Sequence, residues 1–302
     1  MHFSHFTLAL ACLATVSGAV VLKRDTPTQV YNGSGWIENI AVRSNGNVLL
    51  SHLDVPELWS FDPSTKAGTK VASFPGALGL TGITEIKPDV FVVVSGNFSV
   101  SNFSITAGSW GVWKVDLTGA AAKTTFLKLI PESGFVIGVT PFDNETFFIA
   151  DAAKGTLYKM SITTGDYSVV LADSSMKPPS NAFIQEGIHG LKYYEGYLYF
   201  TNTFGGTYNK VKIDQVTAKT SGAVVSILTS LTDVEDFAFA PDGSVYTAAR
   251  STGVARIYAN GTRTQIATVD TASSVAFGRG AKDKATLYVS SSGGGLYTIA
   301  TS

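Results

Sequence analysis

One short pattern recurs six times along this chain, and it limits the possible folds more than any single residue does. The copies are ENIAVRSNGNVLLSH (38–52), TGITEIKPDVFVVVSG (81–96), IGVTPFDNETFFIAD (137–151), HGLKYYEGYLYFTN (189–202), EDFAFAPDGSVYTAA (235–249) and SSVAFGRGAKDKATLYVSS (273–291). Each is two runs of alternating apolar and β-branched or aromatic residues, broken at the middle by Asn45-Gly46, Pro88-Asp89, Asp143-Asn144, Glu195-Gly196, Asp242-Gly243 or the stretch 280–283. Such a pattern reads as a β-hairpin. Most copies are followed by a third strand, such as WGVWKVDL (110–117) or GTLYKMSI (155–162), and a fourth, such as YSVVLA (167–172).

Four strands per unit at intervals of roughly 40–55 residues predict propeller blades. The expected fold is therefore all-β: a six-bladed β-propeller with four strands per blade. The sixth unit runs out after three strands, and TQVYN (28–32) is expected to supply the missing one. An N-terminal strand completing the last blade leaves no sheet edge open. A β-sandwich would not call for six equivalent hairpins.

No linker or charge run divides the rest of the chain, so residues 25–302 read as a single domain. Residues 1–19 read as a signal peptide, with a short apolar run ending in small residues. Residues 20–24 end in Lys23-Arg24 and are expected to be a propeptide removed by a dibasic-site protease. The only cysteine, Cys12, falls inside the signal, so thiol nucleophiles, thiolate metal sites and disulfides are excluded from the processed protein. Sequons at Asn32, Asn97, Asn102, Asn144 and Asn260 fit a glycoprotein of the secretory pathway, either secreted or held in a vesicle or vacuole. With 22 basic and 23 acidic residues the net charge is −1, which gives no reason to expect nucleic acid as a partner. No membrane span is expected either.

In a propeller the first strand of each blade lines the central channel. Aligning the repeats therefore names a ring: Glu38, Thr81, Ile137, His189, Glu235 and Ser273. The ends of the second strands form another tier, His52, Gly96, Asp151, Asn202, Ala249 and Ser291, with Arg250 just beyond. Apart from the signal region the chain has two histidines, His52 and His189, and the alignment puts both at this mouth. A few polar groups in an apolar funnel suit an apolar small molecule. The catalytic candidates are His189, Glu38 and Glu235. Thr81, Ile137, Ser273, His52, Asp151, Asn202 and Trp110 are the expected substrate contacts. The longest insertion, 96–110, is a candidate lid, although its two sequons place part of it in solvent. Nucleophile-elbow and metal-helix motifs are absent.

The segments WIENIAVRSNGN (36–47), GLKYYEGYLYFTNT (190–203), DFAFAPDG (236–243) and LYVSSSGG (287–294) resemble the fungal secreted six-bladed propellers, distant relatives of the SMP-30/gluconolactonase group. That fungal family includes hetero-Diels–Alderases of tropolone–sesquiterpenoid biosynthesis, which join a tropolone o-quinone methide to a humulene-type olefin. The resemblance implies such a cycloaddition with no cofactor. The lactonase relatives hold a divalent metal ion with a Glu, two Asn and an Asp. Glu38 matches the Glu, Ile137 and His189 stand at the Asn positions, and Glu235 at the Asp. Isoleucine cannot ligate, so the alternative is a metal-dependent lactonase or esterase using Glu38, His189 and Glu235 alone. A binding propeller without chemistry is the third possibility.

Overall fold

The computed structural model describes residues 26–301; the expected signal peptide and propeptide lie outside the described residues. Six four-stranded antiparallel sheets hold nearly all of the described strands. The blades run Ile37–Ser73, Gly79–Leu129, Val136–Ala172, Ile188–Leu228, Val234–Ala267 and Ala272–Ala300, numbered one to six. In blade six the strands Ala272–Phe277, Thr286–Ser291 and Gly295–Ala300 are followed outward by Thr28–Asn32, which pairs antiparallel with the last of them. The first and last strands among the described residues thus lie side by side. Among the described residues, no helix is long and apolar enough to cross a membrane.

Burial falls off from the axis outward. The second strand of blade one, Val48–His52, is buried at every position, whereas the outer strand Lys123–Leu129 of blade two is almost wholly exposed. Six hydrophobic clusters fill six blade interfaces. Leu49 and Leu58 meet Phe91 and Val93 between blades one and two, for example, and Phe148 and Ala150 meet Leu198 and Phe200 between blades three and four. Alternation places one face of every strand in such a cluster, so the core is a ring of interfaces. At the hairpin turn of blade four both Glu195 and Gly196 have positive φ, 47° and 80°. A two-residue turn needs that conformation to match the strand twist, and glycine adopts it without a Cβ clash.

All six first strands share one irregularity. Each carries a register shift in its pairing with the second strand: at 37–39, 80–83, 136–139, 188–191, 234–237 and 272–274. These bulges coincide with the ring positions. A bulge leaves a residue out of the ladder and re-aims its side chain. The neighbouring blade then packs tightly against it: a Cβ on Gly138 would sit 2.1 Å from the carbonyl oxygen of His189, so only glycine fits there. Hydroxyls staple the bulges together across blades. Thr81 Oγ1 donates to Val136 O at 2.8 Å, Thr201 Oγ1 to Glu235 O at 2.6 Å, and Ser273 Oγ to Ile37 O at 2.6 Å.

Among the sequons, Asn32, Asn102, Asn144 and Asn260 are exposed, while Asn97 is half-buried and accepts from the backbone N–H of Leu78.

Candidate active centre on the propeller axis

Three of the six bulges carry ionisable side chains, and these three meet. His189 Nε2 lies 2.9 Å from Glu235 Oε2 and 3.2 Å from Glu38 Oε1. A fourth group joins them from outside the ring: Glu186 Oε1 stands 3.3 Å from the same nitrogen. Arg250, just past the second strand of blade five, reaches back over the mouth. Its Nε is 2.6 Å from Glu235 Oε1 and its terminal nitrogen 3.0 Å from Glu186 Oε2. The Trp36 indole donates to Glu38 Oε2 at 2.7 Å. His189, Glu38, Glu186 and Glu235 are all at least 95% buried.

One imidazole nitrogen thus faces three carboxylates. A single N–H satisfies one of them at a time, and Nδ1 has no hydrogen-bond partner among the described residues. Burial disfavours a charge on His189, but the Glu235 carboxylate, helped by Glu38 and Glu186, outweighs it and holds the imidazole pKa well above its ordinary value. Burial likewise opposes ionisation of Glu235, yet Arg250 and His189 together keep its pKa below the ordinary carboxylate value. For Glu186 burial prevails, aided by the nearby Glu235 charge, and its pKa is raised despite Arg250. The closer contacts of Glu235 to both cations account for the opposite directions. Three carboxylates against one guanidinium and one imidazolium leave an excess negative charge in a dry site. A proton on Glu186 or an added cation relieves it.

The donor set suits a metal ion. Glu38, His189 and Glu235 each offer a ligand atom within 4.8 Å of the others, and the buried His189 Nε2 lacks a properly aligned hydrogen bond. Two carboxylates and an imidazole favour Zn, Mn or Fe over Ca.

Very little space remains around these groups. Under a roof of Trp36, Leu53, Phe98, Phe135 and Ile184, the free volume is about 10 Å³, about enough for one water. The open apolar funnel expected from the repeat alignment is therefore closed in this structure. The insertion does lie over the mouth: the pair Phe98–Ser99 and Ser104–Ile105 forms a small hairpin, with Phe98 stacked on Phe135 and edge-on to Trp36. Larger grooves exist elsewhere, one of about 670 Å³ between hairpin ends of blades one and six and one of about 510 Å³ between blades four and five. Neither contains any group of the His189 cluster.

The remaining expected substrate contacts are engaged with the protein itself. Thr81 and Ser273 staple blades, as described above. Ile137 is packed in the core between blades two and three. The Trp110 ring is fully buried, its indole donating to Gly134 O at 2.8 Å. Asp151 accepts from the backbone N–H groups of Gly134, Phe135 and Lys154. Asn202 donates to the carbonyls of Ser175 and Lys177 and accepts from Gly205 N–H. His52 Nδ1 sits 3.7 Å from Asp54 Oδ1, apart from the His189 group. Trp110, Asp151 and Asn202 thereby brace the loops around the mouth.

Glu186 and the cap made by Trp36 were not legible in the repeat, since both belong to connections between strands. A carboxylate three residues ahead of the ring histidine was the one available signal for Glu186. Arg250 stood beside the second tier without a partner to give it meaning.

Fold and site together define a six-bladed propeller with a buried charged centre on its axis. No family model matches the chain. It is similar to a protein of Phoma sp. provisionally named a hetero-Diels–Alderase, 27% identical over 340 aligned residues that cover 98% of this chain and 94% of the relative. A protein of Sarocladium schorii with the same provisional name is 27% identical over 304 residues, covering 85% and 75% of the two chains. Among solved structures, a gluconolactonase of Xanthomonas campestris superposes with a TM-score of 0.65 at 12% identity, over 91% of this chain and 88% of that one. These likenesses agree with the fungal propeller family that the sequence resembles.

Proposed function

We propose that the chain is a hetero-Diels–Alderase, joining a tropolone-derived o-quinone methide to an apolar humulene-type olefin at the His189 centre. The observation that carries this reading is the likeness, over most of the chain, to two relatives of that provisional name. The chemistry asks little of the protein. One bond forms between the quinone-methide oxygen and an olefin carbon, a second between the methide carbon and the other olefin carbon, and nothing leaves. No nucleophile is required, and the His189 contacts are carboxylates rather than a hydroxyl or amine.

Two effects supply the rate. Holding diene and olefin in a reactive pose lowers the barrier by up to roughly 7–11 kcal/mol. A hydrogen bond to the quinone-methide oxygen makes that partner more electron-poor. His189 is the donor: its Nε2 is held among the carboxylates, which favour the protonated ring, and Nδ1–H has no partner among the described residues. Glu38 and Glu235 orient the ring. The aromatic roof of Trp36, Phe98 and Phe135 supplies the apolar surface for the olefin.

The test is conversion of a quinone-methide precursor and α-humulene to a single enantiomer of the adduct, measured by chiral chromatography. Racemic product at the uncatalysed rate ends the proposal. Full turnover by a variant lacking His189, Glu38 and Glu235 together removes the site assignment.

A second reading, a metal-dependent lactonase or esterase, is supported by the donor atoms of Glu38, His189 and Glu235 gathered within 4.8 Å. A divalent ion there would polarise an ester carbonyl. Lactone hydrolysis unchanged after thorough chelation excludes this reading.

A further inference from the structure

The void beside Glu38, Glu186, Glu235 and Arg250, the groups around His189, has room for about one water, so any reactant larger than that needs the roof to move. Two long stretches outside the four-stranded ladders each supply a residue to that roof, Phe98 and Ile184. One is the insertion 97–109, tied down by its own hairpin and by bonds from Asn97 N–H to Ser109 Oγ and Thr106 N–H to Asn97 O. The other is the connection 178–186, Pro-Pro-Ser-Asn-Ala-Phe-Ile-Gln-Glu, between blades three and four. It is held quite differently. Hydrogen bonds anchor the flanks: Lys177 O accepts from the Asn202 side-chain amide, and Gly187 N–H donates to Ala152 O. Between those anchors the backbone–backbone bonds are internal, Ala182 N–H to Pro179 O and Glu186 N–H to Ile184 O. Only two of its side chains are buried, Ile184 and Glu186.

Those two are the roof and wall of the centre. Ile184 closes the void from above, and Glu186 makes the 3.3 Å contact to His189 and the 3.0 Å contact to Arg250. At the outer surface the two segments touch through Phe103 and Phe183, ring centroids 5.7 Å apart. Phe183 is 77% exposed and Phe103 39%. A segment with few buried contacts and no ladder bonds opens at a small fraction of the global unfolding free energy. The stapled first strands beneath it do not.

We propose that residues 178–186 are a hinged cover that swings off the His189 centre to admit an apolar reactant, with Phe103 and Phe183 as its latch. The inference rests on the reading that this centre takes a reactant. Opening has a chemical consequence as well, because Glu186 leaves with the cover and the imidazole then faces two carboxylates instead of three.

The test is thiol labelling of the full chain carrying Ile184→Cys, with Val289→Cys in the core between blades five and six as the reference for global unfolding and the parent chain for background from Cys12. The expected result is labelling of the Ile184→Cys chain at least about tenfold faster than of the Val289→Cys chain, insensitive to low denaturant, and faster again when Phe183→Ala is added. Equal rates with equal denaturant dependence overturn the cover. If Ile184→Cys does not fold, Leu53→Cys, 2% exposed in the same roof, takes its place. A cover that opens in a chain that makes no adduct leaves the cover standing and removes the cycloaddition. Turnover in a chain that labels only on unfolding does the reverse.

Discussion

The ring on the propeller axis has two halves built on the same backbone. Blades two, three and six place Thr81, Ile137 and Ser273 at their bulges, and blades one, four and five place Glu38, His189 and Glu235. In the first half the hydroxyls find neighbouring carbonyls at 2.6–2.8 Å and the isoleucine joins a hydrophobic cluster. In the second half the groups answer to one another and to Glu186, Arg250 and the Trp36 indole, and their charges do not cancel. Equal geometry with unequal chemistry separates the two halves: the uncharged one ties neighbouring blades together, and the charged one keeps ionisable groups out of solvent.

Removing the imidazole breaks this contrast most severely. His189→Ala leaves three carboxylates buried around a void, and unfolding by denaturant is expected to show a loss of about 3–5 kcal/mol. A value near zero means that the cluster is solvated or that one carboxylate is already neutral.

A pH series sharpens the same point. His189 is faced by Glu38 from blade one, Glu186 from the cover and Glu235 from blade five, and Arg250 contacts the last two. Its native pKa is raised, so its contribution to stability is complete below the unfolded value and is lost as pH rises through the elevated native one. Glu235, with a lowered pKa, contributes in the other sense: its share is present above its unfolded value and is lost as pH falls through the native one. Chelated protein should therefore lose melting temperature on the alkaline side of neutrality, and His189→Asn should flatten that slope. A slope unchanged in the variant assigns it to another group.

The smallest effect belongs to the uncharged half. Thr81→Val removes one interblade staple and should cost about 1–2 kcal/mol, with the adduct yield per folded molecule unchanged. A loss of turnover without loss of stability would support Thr81 as a substrate contact.

Much of the fold is legible in the residues. Six hairpins with turns such as Glu195-Gly196 require six sheets, because alternation and turn chemistry are local properties that neighbours in sequence determine. The same alignment picks Glu38, His189 and Glu235 out of the chain, since equivalent positions in a closed ring must converge. It gives Thr81 and Ser273 the same standing, and only the packed structure separates them, through the carbonyls their hydroxyls reach. Glu186, Trp36 and Arg250 belong to connections that follow no period, so their places depend on how blades one, four and five meet. The roof is the clearest case. Phe98 and Ile184 lie far apart in sequence and carry no shared pattern, yet together they reduce an expected funnel to about 10 Å³. Repetition along the chain decides what recurs around the axis; what covers the axis is decided by side chains from different blades, whose contacts exist only once the ring has closed.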